Sequence, residues 1–175
     1  MKIVCNLVLT SPSIYKGGIC MKKYFLYVVA LFGFTLMGCS NTNELAVGKP
    51  PNAYIEIDNK KFETKLGTYC WQGDGKSECV DTAGPVELLE GKKPIKVKSG
   101  ENITFVMDYE PKPNKFHVVQ ISNNKETEVI VTDNRFTAPT QPGVYYYSYG
   151  VWWMDEKEAN LSHGDAFYAF VLEVD

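Results

Sequence analysis

The chain has 175 residues, 18 basic against 21 acidic, with 45% hydrophobic residues and five cysteines. No basic cluster appears that could displace phosphate counterions, which argues against a nucleic-acid partner. There is no internal repeat or low-complexity tract, and the length leaves room for one domain of roughly 120 residues with its own core.

Residues 1 to 20, MKIVCNLVLTSPSIYKGGIC, set a Lys-led apolar segment in front of a second, complete one. The economical reading is a spurious upstream extension, with translation starting at Met21. From there Lys22 and Lys23 form a positive start, Tyr24 to Phe34 is apolar, and the small residue Gly38 precedes Cys39. That is the order of a secretory signal. The apolar run is about 11 residues, short of the roughly 20 that a membrane-spanning helix needs.

Leu36-Met37-Gly38-Cys39 resembles the lipobox of bacterial lipoprotein signal peptides, departing from it in the bulkier Met37. The resemblance implies a signal-peptide helix over 21–38 and a diacylglyceryl group on the thiol of Cys39. The mature protein would then sit at the cell membrane, lipid-anchored on the extracellular face. One acyl chain binds a bilayer marginally, and two or more hold it durably. A signal peptide with an incidental cysteine is the alternative. Ser40 to Pro51, SNTNELAVGKPP, is polar and closes on Gly48 and Pro50-Pro51, so residues 39–52 read as the lipidated cysteine and a flexible tether.

From Cys39 onward there are 14 basic and 21 acidic residues, a formal charge of −7. Such a body stands off an anionic surface rather than lying on it. With Cys39 committed to lipid, Cys70 and Cys79 remain, and outside the cytoplasm they pair as a disulfide. The chain-entropy account puts so short a loop at about 2.5 to 3 kcal/mol. Metal binding is the alternative, but Cys-x8-Cys with two scattered histidines makes no zinc ligand set.

Residues 53–175 read as an all-β domain. Ala53 to Ile57 alternates, Asp58-Asn59 turns, and Lys61 to Trp71 can return as a hairpin partner. Gln72 to Lys76 then forms a loop between the two cysteines. Val86 to Leu89 is a short apolar piece, Ile95 and Val97 alternate with lysines, and Ile103, Phe105 and Met107 mark a half-buried strand. Pro111 and Pro113 mark a connection. Phe116 to Ser122 and Thr127 to Thr132 flank a polar tip, Asn123 to Glu126. Short strands follow at Arg135 to Pro139, through the aromatic run after Gln141-Pro142-Gly143, and at Ala166 to Val174. Only Met154 to Leu161 offers a turn or two of helix. The pattern predicts an antiparallel, immunoglobulin-like β-sandwich, with a closed barrel as the alternative.

The run Tyr145-Tyr146-Tyr147-Ser148-Tyr149-Gly150-Val151-Trp152-Trp153 is the most unusual feature. Alternation puts Tyr145, Tyr147, Tyr149, Val151 and Trp153 on one face and Tyr146, Ser148, Gly150 and Trp152 on the other. One face is core. Rings on the other suit sugar faces or apolar peptide side chains. The candidate ligand-binding residues are Tyr145, Tyr147, Tyr149 and Trp153, with Trp71, while the competing reading makes these rings core. Gly150 favours a bulge or a close backbone approach there.

Pro142 to Tyr147, Trp152-Trp153 and Gly164 to Phe170 look like the last two strands of small secreted sandwich domains. With the TYCW…CVD disulfide loop, they resemble uncharacterised lipoproteins of Gram-positive bacteria. That resemblance implies a fold and an envelope location, without an activity.

The loop Asp155 to Asp165 gathers four carboxylates, an amide and His163, but its spacing matches no EF-hand and Lys157 opposes a cation. His117 has no companions for a copper site. No motif with a catalytic mechanism is present. The expectation is therefore a binding or interaction module of the envelope without cofactor or metal, contacting the membrane through Cys39 and either cell-wall glycan or a surface protein. The alternative is an envelope hydrolase or metal-dependent enzyme with an unrecognised active site.

Overall fold

The computed structural model describes Leu45, residues 48–73 and residues 75–175. Cys39, the signal segment and the upstream 20 residues lie outside them. Strands dominate: β1 (Tyr54–Ile57), β2 (Lys60–Glu63), β3 (Lys65–Gly73), β4 (Lys76–Val80), β5 (Ile95–Val97), β6 (Asn102–Val106), β7 (Lys115–Ser122), β8 (Lys125–Glu128), β9 (Arg135–Thr137), β10 (Gly143–Met154) and β11 (Ser162–Val174). Among the described residues there is one short helix, α1 (Pro85–Leu88), which starts with proline, where a missing N–H costs nothing.

Two sheets form an antiparallel β-sandwich. The smaller has the order β2-β1-β6-β9 and the larger β4-β3-β11-β10-β7-β8, with β5 added beside the end of β11. That last pairing is parallel, the one departure from the expected antiparallel order. Local chemistry sets the hairpins. Asp58-Asn59 and Asn123-Asn124 each hold positive φ at both central positions, the geometry whose twist matches flanking strands. Ile57 thus faces Lys60, and Ser122 faces Lys125. The tip expected over Asn123 to Glu126 is therefore two residues long, and β8 ends at Glu128.

Three other expectations are corrected. The run Lys61 to Trp71 is not one hairpin partner but is divided between the sheets at Thr64. This residue is buried, and its hydroxyl and N–H both donate to the Ala53 carbonyl, at 2.7 and 3.2 Å. Met154 to Leu161 is not helical; Met154 ends β10 and a loop follows. Within the expected tether, Leu45 is buried in the core and Pro50 is buried, while the Tyr168 hydroxyl donates to the Pro51 carbonyl at 2.5 Å. The domain therefore gathers in residues well before Ala53.

The core is built from rings. Phe105 of the small sheet stacks on Tyr149 of the large one at 4.0 Å, and Tyr147 stacks on Phe170 at 4.8 Å with planes 2° apart. Ile55, Ile103, Val118, Val151 and Leu172 fill the space around them. Fully burying an aromatic or branched side chain contributes about 1.5 to 3 kcal/mol.

Candidate functional site: the outer face of the large sheet

The face of β10 that turns inward is the one carrying Tyr145, Tyr147, Tyr149, Val151 and Trp153, and all five side chains are buried, with Tyr147 at 0% exposure. Trp71 joins them, edge-on to Trp153 at 4.8 Å. Their polar tips are satisfied internally. The Tyr145 hydroxyl donates to the Gln141 carbonyl, the Tyr147 hydroxyl to Gln120 Oε1, and Trp153 Nε1–H to the Pro111 carbonyl. Burial pushes the Tyr149 phenol up to about 12 and raises those of Tyr147 and Tyr168 as well. These rings offer no surface to a ligand. The physical reason is that Ile103, Phe105 and Phe136 of the small sheet cover this face, and rings fill an inter-sheet space more completely than aliphatic side chains.

The opposite face is only half covered. Leu88 and Leu89, at and just after α1, pack on Ala169, Val171 and Tyr146. Beyond that cover, Trp152 and Phe167 are partly exposed and meet edge to face, with centroids 5.4 Å apart and planes at 86°. Gly150 lies beneath them. A Cβ there would stand 2.8 Å from Phe167 Cε1 and 2.9 Å from Trp152 Cη2, so both rings close over the strand because this residue has no side chain. At Gly150 it is side-chain rings and not backbone that approach closely, and the register shift of β10 falls at Trp153/Met154, so neither the bulge nor the close backbone approach expected there is found.

The ladder surrounds this pair with polar groups. Trp152 is flanked by Lys115 on β7 and Asp165 on β11, and Gly150 by His117 and Phe167. Asp165 in turn pairs with Cys70, whose N–H donates to Asp165 Oδ1 at 3.3 Å. Cys70 and Cys79 sit directly opposite each other on β3 and β4, sulfurs 2.04 Å apart, so the expected loop is a hairpin stapled across its strands. His117 Nε2 lies 3.4 Å from Glu128 Oε1.

Next to Phe167 the surface dips into a groove of about 300 Å³, lined by Gly67, Thr68, Thr82, Pro85, Leu88 and Ser148. Its wall is fixed by Thr68, whose hydroxyl donates to Asp81 and accepts from the Thr82 N–H. The arrangement is a shallow apolar platform of two rings with hydroxyls, an imidazole, an ammonium and a carboxylate at its margin.

The acidic loop is organised around Asp155. Its Oδ1 accepts the N–H groups of Lys157 and Glu158, both at 2.7 Å, and its Oδ2 lies 2.9 Å from His163 Nε2. These hydrogen bonds, the Glu158 N–H first, hold the carboxyl below its usual range. The neighbouring Ser162 hydroxyl donates to the Gly164 carbonyl and not to His163, so no serine–histidine relay forms. Among the described residues no three His, Cys, Asp or Glu side chains converge as metal ligands would, and no helix is long and apolar enough to cross a membrane.

Trp152 and Phe167 are the residues that reasoning about the exposed face passed over. Alternation had already put Trp152 opposite Tyr147. What no strand pattern supplies is which face the second sheet covers. No protein-family model, curated protein or solved structure matches this chain.

Proposed function

We propose that the protein is a lipoprotein of the bacterial envelope, anchored through Cys39 on the extracellular face, whose immunoglobulin-like sandwich is a binding module for cell-wall glycan. The observation that carries the binding reading is the partly exposed Trp152–Phe167 pair closed over Gly150, on the uncovered part of the outer sheet face. Flat rings offer a pyranose its apolar face, and Asp165, Lys115, His117 and Ser148 stand where its hydroxyls would need partners. The Cys70–Cys79 staple ties β4 to β3 beside that surface.

The test is sedimentation of the purified protein with insoluble cell-wall glycan. Trp152→Ala should weaken binding about tenfold, the equivalent of about 1.4 kcal/mol. Unchanged binding by folded Trp152→Ala and Phe167→Ala proteins would remove this face as the site. For the hydrolase alternative, the Asp155–His163 pair is the candidate among the described residues, and that pair is already occupied in holding the loop.

A further inference from the structure

β3 and β5 share one edge of β11 and leave a gap between them. β3 pairs as far as Lys65 opposite Ala169, and β5 begins at Ile95 opposite Leu172, so on that edge no strand is paired with Phe170 and Val171. A cavity of about 440 Å³ opens there, within the size range of small-molecule sites. Ala53, Leu66, Leu89 and Ile95 give it apolar walls, and Thr64, whose hydroxyl is held by Ala53, also lines it.

Its rim is cationic. Lys49, Lys65, Lys92 and Lys93 line it against one carboxylate, Glu63. All four lysines are exposed, and among the described residues none of them is in an ion pair, whereas Lys61, Lys96 and Lys112 each have a carboxylate partner. The turn after α1 places two of them, Lys92 and Lys93. After α1 the Lys92 N–H returns to the Leu89 carbonyl, Gly91 takes φ +73° to make the turn, and Lys92-Lys93 arrive at the mouth just before Pro94. Within a region of net negative charge, four ammonium groups round one cavity, without an ion-pair partner among the described residues, favour anions there.

We propose that this cavity is an anion site for a phosphate-bearing ligand with an apolar portion. A phosphate group carries about −1.5 to −2 at neutral pH and matches several point-charge lysines better than a single carboxylate does. The phosphate can belong to a lipid headgroup or to a soluble phosphate ester. The headgroup source rests on the lipid anchor: six residues from Cys39 to the buried Leu45, at most about 3.6 Å each, would hold the domain within roughly 20 Å of the acyl chains.

The experiment uses the full chain carrying Cys39→Ala, so that acyl chains do not contribute. It is titrated with sodium pyrophosphate by calorimetry and sedimented with phosphatidylglycerol or phosphatidylcholine vesicles. In the proposal, Lys92→Gln/Lys93→Gln weakens binding at least tenfold, while Lys76→Gln/Lys125→Gln, on distant strands, changes it less than twofold. Lysine-dependent preference for phosphatidylglycerol without pyrophosphate binding assigns the headgroup. Pyrophosphate binding without vesicle preference assigns a soluble ester, and both together confirm the anion site for either source. Absence of both, or equal loss in the distant double variant, overturns the proposal. Circular dichroism melts confirm that each variant is folded. Glycan sedimentation through Trp152 is read separately, so either reading can fail alone.

Discussion

Trp152 and Phe167 stand edge to face at 5.4 Å over Gly150, and neither ring could occupy its place if residue 150 had a side chain. Gly150→Ala should therefore displace both rings. A β-strand alanine gains about 0.5 to 1 kcal/mol over glycine, but overpacking costs about 1 to 3 kcal/mol, so a net loss of about 1 kcal/mol is expected. Glycan binding should fall further than that. Urea midpoints beside glycan sedimentation check the claim, and a variant with native binding would show that the ring geometry is irrelevant.

The inward rings make the opposite prediction. Tyr147→Ala removes a fully buried ring that stacks on Phe170 and should cost about 3 to 5 kcal/mol. Tyr147→Phe removes only the hydroxyl that donates to Gln120 at 3.0 Å, a loss of about 1 kcal/mol. Neither change touches the outer face. Tyr147→Phe should keep full glycan binding, and a tenfold loss without unfolding would return the inner face to candidacy.

Much of this was readable from local chemistry. Asp58-Asn59 and Asn123-Asn124 announce their turns because few residue pairs accept positive φ twice, and the two-residue period of β10 divides its rings correctly between faces. Which face is inside is not local. Both faces of β10 carry rings, and the choice is made by Phe105 and Phe136, which are remote in sequence. The break at Thr64 is equally tertiary, since nothing in Lys61 to Trp71 distinguishes one strand from two until Ala53 offers its carbonyl. Leu45 opens a three-residue apolar run, Leu45-Ala46-Val47, inside an otherwise polar stretch, and only the burial of Leu45 in the core reveals that it belongs to the domain. The lysines of the β3–β5 gap come from three separate stretches of chain, and Lys65 meets Lys92-Lys93 only because β3 and β5 both border β11.

The Cys70–Cys79 bond joins β4, an exposed edge strand, to β3. Cys70→Ser/Cys79→Ser should lower stability by about 2.5 to 3 kcal/mol, chiefly by freeing the unfolded chain. Frayed β4 would also release the Tyr69 hydroxyl from Glu78. Denaturant unfolding of oxidised and reduced protein measures the loss, and faster amide exchange confined to β4 and β3 would place it. Equal midpoints with and without reductant would refute a stabilising role.

Asp155 predicts the acid limb of the stability profile. Two backbone N–H groups and His163 favour its ionised form, so its folded pKa lies below the unfolded 3.8. The folded state then binds fewer protons than the unfolded one between the two values, and stability rises with pH across that window. The contribution is complete above about 3.8 and is lost as pH falls through the lower folded pKa. Asp155→Asn should unfold at lower urea than the native protein at pH 6, and the gap should shrink steadily as pH is lowered from 4 toward 2. Its side-chain oxygen can still accept one N–H, so the turn survives while the charge is gone. A gap independent of pH would mean that Asp155 acts through hydrogen-bond geometry alone and that its ionisation is not linked to folding.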